Sequence, residues 1–325
     1  MHVLSLAADG AAAAADFCQP FVLAHGAFRG RFVRLTDSVT TIVERHSDPE
    51  VVSELLCEAM VAAVALAGGI KYDGVFTLQA QGKGPVHTLV ADVTSAGQLR
   101  AWAKFEATRL SAAIAQGRPQ YLAAHMLGEG HLAFTVDQGP DTERYQGVVE
   151  LIAGSIADSV HNYFRQSEQL ASALLISVAP PDGVQSQRWR AAAMVIQRMP
   201  DIGGSVVLTE DDAEDAWRTA VILMGSATKK ELLDLGLPTE KLLYRLFGTI
   251  GVKSLSAKPI TFGCRCSRAR SERILASFPV DEVKSFSEGG VVRMTCEFCR
   301  TDYAFSEAEI DMLAMVNRAA PGEGI

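Results

Sequence analysis

Residues 74–105, GVFTLQAQGKGPVHTLVADVTSAGQLRAWAKF, contain three strand-like runs. GVFTLQA, VHTLVADV and LRAWAKF are rich in β-branched and aromatic residues, and QGKG and TSAGQ provide the turns between them. Parallel strands need a crossover of a dozen or more residues, so runs joined this closely form an antiparallel meander. The fold class is therefore α+β rather than a strand–helix alternation. LAFTVD at 132–137 adds a further strand. Upstream, Asp48, Pro49 and Glu50 mark a helix start, as N-cap, first-turn proline and early acid. Val51, Val52, Leu55, Leu56, Ala59 and Ala63 then recur at helical spacing until Gly68-Gly69. Downstream, YQGVVELIAGSIADSVHNYF is expected to form one long amphipathic helix with Val148, Ile152, Ile156 and Val160 on a single stripe.

Pro180-Pro181-Asp182-Gly183 is a strong breaker and sets the first boundary, giving an N-terminal domain over 1–181. Residues 182–254 show no period-2 strand and are expected to be a helical linker. Thr228 with Glu231 makes a capping box, Gly236 suits the helix end, and Thr239 can cap the next helix. That helix carries Leu242, Leu243, Leu246 and Phe247 on one side, which must cover another surface. Residues 255–325 form a small C-terminal module. In it Ser267 opens a helix ending before Pro279, VVRMT and DYAFS are short strands, and Ser306 with Glu309 boxes the final helix.

The chain has 325 residues with a formal net charge of −8, which argues against a general nucleic-acid or membrane-surface binder. The apolar run from Met60 to Ile70 is about half of a bilayer crossing. The N-terminus lacks a basic region and carries Asp9 and Asp16, so a cytoplasmic location is expected. The Ala11–Ala15 run reads as a flexible or helical insertion.

Of six cysteines, Cys18 and Cys57 stand alone and are expected to be core thiols. The other four form a C-x-C pair, Cys264 and Cys266, and a C-x-x-C pair, Cys296 and Cys299. In a reducing compartment, clustered cysteines point to metal binding or redox chemistry. Four thiolates suit Zn²⁺, and no histidine follows His161, so the site would be all-cysteine and closed to water. The expectation is one Zn²⁺ per chain, structural or regulatory, in a module small enough to need a staple. Arg265, Arg268, Arg270, Arg273 and Arg300 surround the cysteines. They either favour thiolate or form a solvated face. The alternatives are a thiol–disulfide oxidoreductase using Cys296 and Cys299 and a zinc-ribbon adaptor or nucleic-acid-binding protein. There is no P-loop, G-x-S-x-G, H-E-x-x-H or dinucleotide fingerprint. His125 and His131 are read as ordinary histidines. No catalytic residue is expected, and the protein is not expected to be an enzyme.

FGCRCSRAR at 262–270 and TCEFCRTDYAF at 295–305 closely resemble the 33 kDa chaperonin family of redox-regulated holdases. The likeness extends through RGRFVRL at 29–35, LQAQGKGP at 78–85, YQGVVEL at 145–151, YFRQSEQ at 163–169, IQRMP at 196–200 and YRLFGTI at 244–250. Two segments depart from the family pattern. AAAMVIQ has alanines where glycines are common, and LRAWAKF lacks the usual arginine-glycine-aromatic order. The resemblance implies zinc on Cys264, Cys266, Cys296 and Cys299 in a reduced, inactive state. On oxidation it implies disulfides Cys264–Cys266 and Cys296–Cys299, zinc loss, dimerisation and ATP-independent binding of unfolded client proteins.

Overall fold

The chain opens with an antiparallel hairpin, β1 (Phe17–Leu23) and β2 (Phe28–Leu35), then α1 (Asp37–His46) and α2 (Glu50–Ala67). The computed structural model describes residues 16–319 apart from 118, 120, 121, 140, 141, 169, 184, 185 and 199–209. The Ala11–Ala15 run lies outside the described residues. The meander forms as its turn chemistry predicts: β3 (Val75–Gly82), β4 (Val86–Thr94) and β5 (Gln98–Phe105), each antiparallel to the next. Short helices α3 (Ala107–Ala115) and α4 (Leu122–Leu127) lead to β6 (Gly130–Asp137), which returns beside β3.

The helix expected over 145–164 is corrected. Tyr145–Glu150 is a strand, β7, paired with β6 from Val136↔Tyr145 to His131↔Glu150. Only Ile156–Tyr163 is α-helical, as α5, started by a Ser155–Asp158 capping box. The i, i+4 stripe is coincidental: β6 would otherwise present an open edge, and pairing satisfies its backbone groups.

The helical reading of 182–254 also needs correction. Its first part holds β9 (Arg190–Arg198), which lies between β2 and β8 (Ser172–Ala179) in the same sheet. The boundary at 181 therefore falls in the β8–β9 turn. No alternation marks β9 because Ala191 to Ile196 are all 0% exposed, with both faces of the strand covered. Helices follow from there, as expected: α6 (Glu210–Gly225), α7 (Lys229–Leu233) and α8 (Thr239–Phe247). The Thr228–Glu231 capping box is present, while Pro238 rather than Thr239 occupies the next N-cap and Asp234 precedes Gly236 as the C-cap of α7.

The chain then stitches both sheets together. Strand β10 (Val252–Ser254) and β11 (Lys258–Pro259) pair with β1, and β12 (Thr261–Phe262) pairs parallel to β5. The two large sheets run β10-β1-β2-β9-β8, with β11 also on β1, and β12-β5-β4-β3-β6-β7. Within 255–262, β11 and β12 are thus edge strands of the sheets, and the small module starts at the cysteines. It contains α9 (Arg268–Ala276), α10 (Val280–Ser285), the hairpin β13 (Val291–Thr295) and β14 (Asp302–Ser306), and α11 (Glu307–Ala319).

Three cores result. Helix α2 is buried over 15 of its 18 residues, so it is a central helix wedged between the sheets, and its alanines allow close approach. Cys57 at 0% and Cys18 at 3% exposure belong to this core, as expected. The opposite face of the β1–β2–β9 sheet forms a second core, in which Phe21, Phe28, Phe32 and Met194 lie under Leu232, Leu233, Leu243 and Phe247 of α7 and α8. The thiol module's core is small, and among the described residues its apolar cluster has Leu275, Val283, Val292, Phe305 and Ile310 buried.

Candidate metal centre

Cys264 and Cys266 lie between β12 and α9, and Cys296 and Cys299 in the β13–β14 turn. The turn closes through Arg300 N–H to the Cys296 carbonyl at 2.8 Å and Cys296 N–H to the Thr301 carbonyl at 2.9 Å. Arg300 takes the left-handed φ of 56° that this tight reversal requires. The four sulfurs converge within 4.8 Å of one another. Cys264 Sγ is 3.7 Å from Cys296 Sγ, and Cys266 Sγ is 3.3 Å from Cys299 Sγ. A tetrahedral site with Zn–S near 2.3 Å has S···S edges of about 3.8 Å, so the arrangement fits a four-thiolate metal site. Thiols from two chain segments alternate across the cluster, so an ion held there would tie β12–α9 to the β13–β14 turn.

Ionisation favours the same view. Against burial, the Thr301 hydroxyl at 3.2 Å, the Thr301 backbone and neighbouring thiols bring Cys299 down to about 7. Burial pushes Cys266 up to about 12, even though the Tyr303 hydroxyl donates to its sulfur at 3.2 Å. Burial raises Cys296 as well. Four thiols this close titrate as a set, and without a cation one ionises while its neighbours resist.

The sequence offers the module's own arginines as the cations beside the thiols. Arg268 instead pairs with Glu272 at 3.2 Å and Glu309 at 2.6 Å over the Phe305 ring, and Arg300 pairs with Glu297 at 3.3 Å. The guanidinium in contact with a sulfur is Arg100 of β5, whose Nη1 is 4.0 Å from Cys264 Sγ. Asp92 of β4, 4% exposed, holds it in place by accepting from Arg100 Nη2 at 2.6 Å and Nε at 2.8 Å. Asp92 also accepts from Arg265 at 3.1 Å and from the Thr77 hydroxyl at 2.7 Å. One buried carboxylate thus links the meander to the C-x-C segment.

Phe298, inside the C-x-x-C, makes the second link. Arg100 lies 3.7 Å from its ring centroid, and Trp102 meets it edge-on at 6.3 Å. His46 Nε2 is 3.1 Å from the Phe298 carbonyl, and Arg45 donates to the Cys299 carbonyl at 3.3 Å. A histidine does therefore approach the cysteines, but at the backbone and not at sulfur. One signal for this network was readable, since Asp92 and Arg100 are symmetric about the TSAGQ turn and form a cross-strand pair.

Comparison with known proteins agrees with the fold. The Hsp33 protein family model matches residues 16–306. The chain belongs to the Hsp33 family. It is 35% identical over 293 residues to the 33 kDa chaperonin of Caulobacter vibrioides (strain NA1000 / CB15N), covering 89% of this chain and 94% of that one. It is 32% identical over 300 residues to the 33 kDa chaperonin of Pseudomonas fluorescens (strain SBW25), covering 92% and 93%. The crystal structure of the 33 kDa chaperonin of Thermotoga maritima, a heat shock protein 33 homologue, shares the fold with a TM-score of 0.77 at 21% identity, over 94% of this chain and all of that one. Among the described residues, no helix of this Hsp33-family chain is long and apolar enough to cross a membrane.

Proposed function

We propose that this protein is a redox-regulated, ATP-independent chaperone of the cytoplasm that holds unfolding proteins. The observation that carries the reading is a four-thiol cluster joined through β12, β11 and β10 to α8, a helix that covers an apolar sheet face. In the reduced state Cys264, Cys266, Cys296 and Cys299 would hold one Zn²⁺. The ion would neutralise the thiolates and staple the module. Structural zinc sites contribute roughly 10–16 kcal/mol of apparent binding free energy. That rivals the whole stability of a typical domain, ~5–15 kcal/mol. A module with so few buried residues depends on such a staple.

A two-electron oxidant would convert each neighbouring pair of thiolates to a disulfide: the two sulfurs give up their hold on the ion, one S–S bond forms, and the oxidant takes the two electrons. Both pairs oxidised, Cys264–Cys266 and Cys296–Cys299, leave no thiolate donors. The module then loosens, releasing Phe298 from Arg100 and the 252–262 strands from the sheet edges. Those strands follow α8 directly, and α7 and α8 have five and nine residues, too short to persist alone. Release of Leu232, Leu233, Leu242, Leu243, Leu246 and Phe247 would bare their own faces together with Phe21, Phe28 and Phe32. The exposed surface would bind clients and support dimerisation, with no need for nucleotide.

A thiol–disulfide oxidoreductase is less well supported, because Cys296 and Cys299 sit in a hairpin turn between strands and not at a strand-to-helix turn. The deciding experiment measures zinc, free thiols and suppression of client aggregation on one sample through a course of oxidation. The three should change together. Chaperone activity that rises while zinc and thiols stay unchanged would refute the proposal.

A further inference from the structure

At the C-terminal end of α2, between the two sheets, lies a cavity of about 440 Å³, within the span of small-molecule sites, roughly 300–1,000 Å³. Leu66, Ile70, Phe76, Phe134 and Phe164 form apolar walls. Arg29 and Arg31 of β2 and Lys71, just beyond α2, also line it, and among the described residues its lining contains no aspartate or glutamate.

Arg31 stands out among them. It is 5% exposed, and its guanidinium donates to the Gln197 side-chain oxygen of β9. Its Nε is buried with no hydrogen-bond partner. Burial lowers it to about 10, so it remains charged at neutral pH. The neighbouring Cys18 is no counter-ion, because burial pushes that thiol up to about 11. The guanidinium lies against Gly69, where an added Cβ would come within 2.1 Å of Nη1, so the negative end of α2 compensates part of its charge. A whole buried cation on part of a helix dipole, with a donor unused, is complementary to an anion. The aromatic walls are complementary to an apolar tail.

We propose that this cavity binds a small amphipathic carboxylate, with its alkyl or aryl chain among Phe76, Phe134 and Phe164 and its carboxylate on Arg31. The proposal is independent of the thiol chemistry. Calorimetric titration of the reduced full chain with octanoate and with 1-octanol tests it. Octanoate should bind saturably, one per chain, and at least about tenfold tighter than the alcohol, as expected of a charge-assisted guanidinium contact. Arg31→Gln should abolish the preference for octanoate. The surface double variant Arg29→Gln/Lys71→Gln should weaken octanoate by about threefold while leaving octanol unchanged, and it decides the matter if Arg31→Gln does not fold. Absence of saturable octanoate binding, equal affinity for the alcohol, or undiminished octanoate affinity in the folded variants would overturn the assignment.

Discussion

Replacing Phe298 by alanine should loosen the thiol module from the meander sheet without touching a sulfur. The ring lies 3.7 Å from the Arg100 guanidinium, on a half-buried surface, where a cation–π contact contributes about 1 kcal/mol or somewhat more. Its edge contact with Trp102 at 6.3 Å adds roughly 0.5–1 kcal/mol. The bonds from His46 and Arg45 reach main-chain carbonyls and survive the substitution. The net loss is about 2 kcal/mol, which shifts the docked-to-undocked ratio by roughly 30-fold. The reporters are the amides of Thr261 and Gly263, held on the Gly97 and Leu99 carbonyls at 3.0 Å. In reduced, zinc-loaded protein, hydrogen exchange of a peptide spanning 258–266 should accelerate by about that factor, with zinc content unchanged. Oxidation should then activate the variant faster than the parent. Phe298→Leu, which keeps apolar bulk but loses the ring quadrupole, should fall between the two. Wild-type exchange at 258–266 in the alanine variant would mean that the ring does not hold the module, and the proposed route from thiols to sheet would fail.

Four further outcomes are expected. Reduced protein should contain one zinc per chain by metal analysis, and Cys296→Ser should lose it; full retention at unchanged affinity would exclude this centre. Peptide mapping of oxidised protein should recover Cys264–Cys266 and Cys296–Cys299, and mainly Cys264–Cys299 linkage would contradict the scheme. Phe247→Ala removes a fully buried ring stacked on Phe21 at 5.7 Å. It should cost about 3–5 kcal/mol in denaturant melts and raise aggregation suppression under reducing conditions. Burial holds Cys18 near 11 and Cys57 well above its ordinary value, whereas Cys299 lies at about 7. Since thiolate is the reactive form, iodoacetamide at pH 8 should label the four module thiols of zinc-depleted protein and spare the two core thiols, as mass spectrometry would show.

The meander, the central helix and the four-cysteine centre were legible in the sequence because each rests on local rules. Turn residues between β-branched runs dictate β3–β5, apolar spacing marks α2, and two close thiol pairs announce a site before any fold is known. The capping boxes at Ser306 and Thr228 were readable for the same reason. Other features depended on partners distant in the chain. Strand β9 carries no alternation because α2 covers one face and α6 and α7 the other. Residues 145–150 fit a helical stripe, and only the open edge of β6 makes them a strand. The docking of the thiol module joins Asp92 to Arg265, 173 residues apart, and His46 to Phe298, 252 apart. No window of sequence contains such a pair. The partly compensated charge of Arg31 is equally invisible there, since an arginine on a strand reads as exposed until two sheets close over it. Short-range chemistry is therefore written in the residues, while burial, pairing at sheet edges and the docking of the thiol module on the meander come from tertiary structure, because they depend on what covers each surface.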